Sequence, residues 1–174
     1  LVYTWTPTKK AIRKVKQAGL PVGVHGVEHQ ETATIQEEYK RMKEVLGHDE
    51  FGIRMHYLRI NPALSKKLKE LGYNFDASDY SRVRAESFYV KGMKTYPLNI
   101  MDTYLFSPLK QGLTLSQAKA LTKQLLASFE SQGAVHILLH QRHFNKKQFP
   151  RYYQWYVWLV RYCKEKKYKF ATYS

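Results

Sequence analysis

Helical and extended patterns alternate along the sequence, and this alternation constrains the fold more than any other feature. Thr6-Pro7 reads as a cap followed by proline in a first helical turn, with Ile12, Val15 and Ala18 at helical spacing and Gly19 closing the helix. Residues 20–24 follow as a short buried strand. Leu20, Val22 and Val24 are apolar, Pro21 and Gly23 argue against a helix, and Gly26 lets the chain turn. Thr34 with Glu37 has the form of a capping box, opening a helix to Leu46 with Tyr39, Met42 and Leu46 on one face. A strand over 51–56 precedes Asn61-Pro62, which starts a helix striped by Leu64, Leu68 and Leu71 and ended by Gly72. Residues 73–77 read as another strand.

The second half continues the alternation less regularly. Residues 78–95 are polar and irregular, with short extended pieces expected around 88–90, and 96–101 reads as a strand. Thr114 with Gln117 forms another capping box, ahead of Leu115, Ala118, Leu121, Leu125 and Phe129 at helical spacing. Residues 134–140, A-V-H-I-L-L-H, give the clearest buried strand; Pro150 opens an aromatic helix to Lys166, and 168–173 reads as a last strand. Such an order means an α/β fold with parallel strands and crossover helices. An open doubly wound sheet and a barrel both satisfy it, and 174 residues is the size of a single domain.

Composition narrows the function classes. A net charge of +15, from 29 Lys and Arg against 14 Asp and Glu, favours polyanionic partners, although a solvated basic surface has the same composition. No zinc-finger, helix-turn-helix or ribonucleoprotein signature appears, so no specific nucleic-acid module is expected. The single cysteine, Cys163, excludes an internal disulfide. No apolar run approaches the roughly 20 residues of a membrane-spanning helix.

In either α/β architecture, ligands gather at the carboxyl ends of the strands. There the sequence places His25 and His29, then Arg54 and His56, then Asp76 and Asp79, then Asp102, then His140. Two imidazoles four residues apart can reach one divalent ion, and zinc accepts such donors. A His-x-x-x-His pair by itself also occurs on loops that bind nothing. Taken jointly, these residue types outline metal-assisted hydrolysis: two histidines for an ion, another to donate a proton, arginine and aspartate to position them.

Three of these runs carry a family resemblance. V-G-V-H-G-V-E-H, G-I-R-M-H-Y-L-R and I-L-L-H resemble successive motifs of the polysaccharide deacetylases, also called the NodB homology or carbohydrate esterase four family, from about Leu20 to about Asn145. The resemblance implies a distorted (β/α) barrel, incomplete at its N-terminus, that removes N- or O-acetyl groups from a glycan with the help of a divalent metal, zinc first. His25 and His29 map onto the family's His-Ser/Thr-x-x-His metal motif, with Gly26 in place of the hydroxyl residue. Arg54 maps onto the arginine of Arg-x-Pro, which fixes the catalytic base, and His56 replaces the proline. His56, Tyr57 and Arg59 are then expected as substrate contacts. His140 in Leu138-Leu139-His140 maps onto the general acid, and Asp102 is taken as the carboxylate supporting it. The family's Thr-Phe-Asp-Asp motif, which supplies the base and a third metal ligand, has no counterpart before His25 and is expected upstream of Leu1.

Two other readings stay open. H-G-V-E-H also matches the His-x-x-Glu-His pattern of inverzincin metallopeptidases, which requires a helix at that point; Gly26, Val27 and the preceding strand oppose one. A basic chain of this fold without its base also suits a non-catalytic glycan- or polyanion-binding module.

Overall fold

The computed structural model describes residues 2–4, 8–27 and 31–173. They fall into two compact units: Leu1–Tyr80 with Ser87–Pro97 and Thr172–Ser174, and Ser81–Glu86 with Leu98–Ala171.

The first unit is built on a six-stranded sheet. Its strands are β1 (Val2–Thr4), β2 (Val22–Gly26), β3 (Ile53–Met55), β4 (Phe75–Asp76), β5 (Phe88–Val90) and β6 (Met93–Thr95). The spatial order is β1-β2-β3-β4-β6-β5. All pairs are parallel except β5 against β6. Parallel pairing needs crossovers, and helices provide the first three: α1 (Lys9–Gln17), α2 (Thr32–Leu46) and α3 (Pro62–Leu71), while β4 reaches β6 through an irregular segment and β5. The β5–β6 connection is only Lys91-Gly92, with φ of 50° and 79°. Both central residues are left-handed, as a two-residue hairpin turn requires. Ile35, Ile53 and Leu68 are fully buried in the core of this unit. Each such side chain is worth about 1.5–3 kcal/mol relative to exposure.

Helix starts differ from the sequence reading where side chains compete for the cap. Thr8, not Thr6, caps α1, its hydroxyl accepting from the Ala11 N–H at 3.2 Å; Thr6 and Pro7 lie outside the described residues. Helix α2 begins at Thr32 with Glu31 as its cap residue. Thr34 donates its hydroxyl to Glu31 Oε2 at 2.7 Å, so the expected Thr34–Glu37 box lies inside the helix. Asn61 caps α3 as read, accepting from the Leu64 N–H at 2.9 Å, and Gly72 ends it at φ 105°.

The second unit holds a two-stranded parallel sheet of β7 (Ile100–Met101) and β8 (Ile137–Leu138). Around it run α4 (Asp102–Phe106), α5 (Leu115–Ser128) and α6 (Pro150–Glu165). The Thr114–Gln117 capping box of α5 is present in full. Trp155 is fully buried, and its indole N–H donates to Thr122 Oγ1 at 3.0 Å, which ties α6 to α5.

The expected barrel is corrected to an open arrangement. The six-stranded sheet has free edges at β1 and β5, and β7–β8 form a separate sheet, so no barrel closes among the described residues. The strand expected over 96–101 is interrupted at Pro97, which has no N–H for a ladder. The strand expected over 134–140 shrinks to Ile137–Leu138, because the buried side chain of Asn99 takes the His136 N–H at 2.9 Å. The same amide donates to the Ser81 and Arg84 carbonyls at 2.9 and 2.7 Å. Residues 168–173 form no strand. Tyr173 instead packs on Tyr96, with ring centroids 4.7 Å apart.

Gly26 has a packing reason for lacking a side chain. A Cβ there would stand 2.7 Å from Met55 Sδ and 2.9 Å from Ile53 Cδ1. Gly26→Ser is therefore expected to cost about 1–3 kcal/mol through overpacking. Urea unfolding checks this, and an unchanged midpoint would mean that Met55 yields without cost.

Candidate functional site

In the first unit, the candidate residues cluster on neighbouring strands. β2 and β3 pair with His25 opposite Arg54. A backbone carbonyl can only accept, so His25 Nδ1–H donates to the Arg54 carbonyl at 2.9 Å, and this bond fixes the ring's tautomer. His25 Nε2 then carries a lone pair, and His56 Nδ1 lies 3.1 Å from it. His56 directly follows β3, at the start of a short 3-10 turn running to Leu58. Beyond it, Tyr57 is 74% exposed and the Arg59 guanidinium sits 5.3 Å from its ring centroid. An exposed aromatic ring paired with a cation is suited to contact a sugar face or an anion.

Arg54 is buried. It donates from Nε to the Ala77 carbonyl at 2.9 Å and from a terminal nitrogen to the Tyr173 hydroxyl at 3.2 Å. Its charge also acts on Asp76, the last residue of β4. Asp76 is fully buried. Ser78 donates its hydroxyl to Asp76 Oδ1 and accepts from the Met55 N–H at 2.8 Å, while Asp76 Oδ2 has no hydrogen-bond partner among the described residues. Burial pushes the Asp76 carboxyl up to about 6, against the opposing pull of Ser78 and of Arg54. Asp79 is half-buried nearby in sequence.

In the second unit, Asp102 begins α4 at the end of β7 and is buried. Its carboxylate accepts from the Thr103 N–H at 2.7 Å, the His140 N–H at 2.8 Å, His140 Nδ1 at 2.6 Å and His143 Nδ1 at 2.7 Å. Burial alone would raise this carboxyl. The hydrogen bonds from His140 and His143 and the adjacent His140 outweigh it and hold the group below the usual aspartate value. An ionised carboxylate only accepts, so both histidines carry their hydrogen on Nδ1. His143 is buried and its Nε2 takes the Arg142 Nε–H at 3.1 Å. His140 is different: its side chain is 37% exposed, and its Nε2 points away from the carboxylate. One ligand atom each from Asp102, His140 and His143 lie within 4.8 Å of one another, so the three could also hold a metal ion.

The structure thus joins His25, Arg54 and His56 in one group, and Asp102 with His140 in another. His29 lies outside the described residues. His25 and Gly26 belong to β2, so the helix that an inverzincin site needs is absent there. Sequence reasoning missed His143, whose signal was the spacing H-Q-R-H after Leu139. It also missed Ser78 and Tyr173, which carry no motif and matter only through their partners.

No protein-family model matches the chain, and no curated protein sequence does. Among solved structures, the fold is similar to one from Mycobacterium smegmatis described as a "putative polysaccharide deacetylase", with a TM-score of 0.54 and 20% sequence identity. The match covers 75% of this chain and 52% of that one, so this chain spans about half the length of the protein it matches. At that identity the likeness is one of fold: an α/β architecture with a parallel sheet and helices. No helix among the described residues is long and apolar enough to cross a membrane.

Proposed function

We propose that this chain is a deacetylase-like domain that hydrolyses acetyl groups on a glycan with the help of a divalent metal. The observation that carries the reading is the His140–Asp102 pair. A buried carboxylate holds His140 Nδ1–H at 2.6 Å and leaves Nε2 of a part-exposed ring to meet a substrate. That is the arrangement of a proton donor and acceptor: the carboxylate fixes the tautomer and stabilises the imidazolium, while the outer nitrogen exchanges the proton. In deacetylation His140 delivers a proton to the leaving amine, or to the leaving alcohol of an ester. The likeness to the Mycobacterium smegmatis structure and the three motif resemblances supply the substrate class.

The residues present fit a metal of the zinc type. Bonding of Nδ1–H to a carbonyl is the usual support for a metal-ligating imidazole, because it turns Nε2 out as the donor, and His25 makes such a bond to Arg54. In this reading His25 and His29 are ligands, and Tyr57 and Arg59 contact the sugar. A bound divalent ion would polarise the acetyl carbonyl and lower the pKa of its water. Arg54 holds the loop after β4 through the Ala77 carbonyl and orients the groups around it.

A second reading, a non-catalytic glycan- or polyanion-binding module, draws on the α5–α6 face. Trp158 and Tyr162 stack there at 5.3 Å, with Lys119 and Lys123 lying 5.6 and 5.5 Å over their rings. Aromatic platforms flanked by cations bind sugars and polyanions without chemistry.

Acetate release from N-acetylated and O-acetylated oligosaccharides, measured with zinc-loaded protein, separates the two. Activity is expected, and His140→Ala should reduce it about 10²–10⁴-fold, the range for loss of a general acid, with metal content unchanged. Salt-sensitive glycan binding without acetate release would favour the binding module.

A further inference from the structure

His56 stands where the deacetylase pattern has a proline, and the backbone around it is unusual. Tyr57 and Leu58, the next two residues, have φ of 55° and 57°. Neither is glycine, and a left-handed conformation is strained for such residues. The two together turn the chain sharply after β3 and bring the His56 ring to His25, with centroids 5.1 Å apart and planes at 73°. Strain of this kind is common where a ligand is clamped.

We propose that His25 Nε2 and His56 Nδ1 together bind a divalent transition-metal ion, so that His56 is a metal ligand rather than a substrate contact. The inference rests on the metal-dependent reading of His25 given above. Two nitrogens on one tetrahedral zinc, each about 2.0–2.1 Å from it, stand about 3.3–3.4 Å apart. The two ring nitrogens here are 3.1 Å apart, so a spread of a few tenths of an ångström and a rotation of the His56 ring admit the ion. His25 needs no change of tautomer, because its hydrogen is already on Nδ1 facing the Arg54 carbonyl. His56 has to move its hydrogen from Nδ1 to Nε2, which leaves the ring neutral and releases no net proton. Two imidazole donors select zinc, cobalt, nickel or copper over magnesium and calcium, which prefer oxygen.

Cobalt(II) titration of the metal-free chain, followed by visible absorption and calorimetry, tests this without an activity assay. One ion per chain with imidazole-type ligand-field bands is expected, and equimolar magnesium should not compete. His56→Ala and His56→Gln, each checked for folding by circular dichroism, should weaken cobalt binding tenfold or more and move the bands. In the wild-type chain, proton NMR should show a strongly shifted, exchangeable Nε2–H from His56, a readout that needs no variant. If His25→Ala loses the ion while both His56 variants keep wild-type affinity and bands, His56 is not a ligand and the metal reading of His25 survives. If cobalt is not taken up, or is held equally well by His25→Ala, both readings fall.

Discussion

Asp102→Ala is expected to lower stability by about 3–5 kcal/mol, the usual cost of removing one partner from a buried charge-assisted pair, and to remove acetate release with it. The carboxylate takes hydrogen bonds from Thr103, His140 (backbone and ring) and His143. Alanine leaves the Nδ1–H of His143 buried with nothing to bond, and an orphaned buried donor costs about 1–3 kcal/mol by itself. Asp102→Asn separates the two effects. It keeps the size but presents an NH₂ to one of two ring donors, so a histidine must change tautomer or lose its bond. Its stability should fall less than that of alanine, while one of the two histidines, His140 or His143, loses its Nδ1–H bond to the side chain. The pH dependence has a definite sign. The folded carboxyl lies below its ordinary value of 3.8, so its contribution is present above about pH 4 and is lost as pH falls through the depressed folded value. Urea unfolding of both variants at neutral and acid pH checks the sequence of effects. Equal stability of wild type and alanine variant at pH 7 would show that the network contributes nothing.

The strand-end rule made most of the candidate residues legible. His56 follows β3, Asp76 ends β4, and Asp102 follows β7, each where the alternation of helix and strand had put it. The turn chemistry was equally readable where it was local: Asn61-Pro62, Gly72 and the Thr114–Gln117 box act within a few residues of themselves. What failed was pairing over distance. Whether strands close into a barrel depends on which edge finds a partner, and no local pattern records that. The apolar run at 134–140 has the letters of a long strand, yet the Asn99 side chain takes a backbone donor there. The β5–β6 hairpin was hidden because lysine occupies a left-handed position usually given to asparagine or aspartate. His143 escaped because its meaning lies in sharing Asp102 with His140, a contact between positions about forty residues apart.

The second large effect concerns Asp76, which has the opposite sign from Asp102. Its carboxyl is buried, half-satisfied and raised from 3.8 to about 6. A group raised on folding contributes its stability below the unfolded value and loses it as pH rises through the folded one. Each pKa unit corresponds to about 1.4 kcal/mol, so ionised Asp76 burdens the fold by about 3 kcal/mol above pH 6. Asp76→Asn removes the charge and keeps an oxygen for the Ser78 hydroxyl. Its NH₂ replaces the oxygen that had no partner, and a buried donor left unbonded costs about 1–3 kcal/mol, which offsets part of the gain. The variant should therefore be less stable than wild type at pH 4 and equal or more stable at pH 7.5, the two curves converging or crossing near pH 6. The difference between the curves isolates Asp76, because every other carboxylate titrates in both proteins. Parallel curves from pH 4 to 7.5 would show that folded Asp76 titrates as it does in the unfolded chain, as a solvated carboxyl would. A crossing would mean that the chain retains, beside Arg54, a carboxylate that its packing alone would discard, and residues kept against stability concentrate at sites that do chemistry.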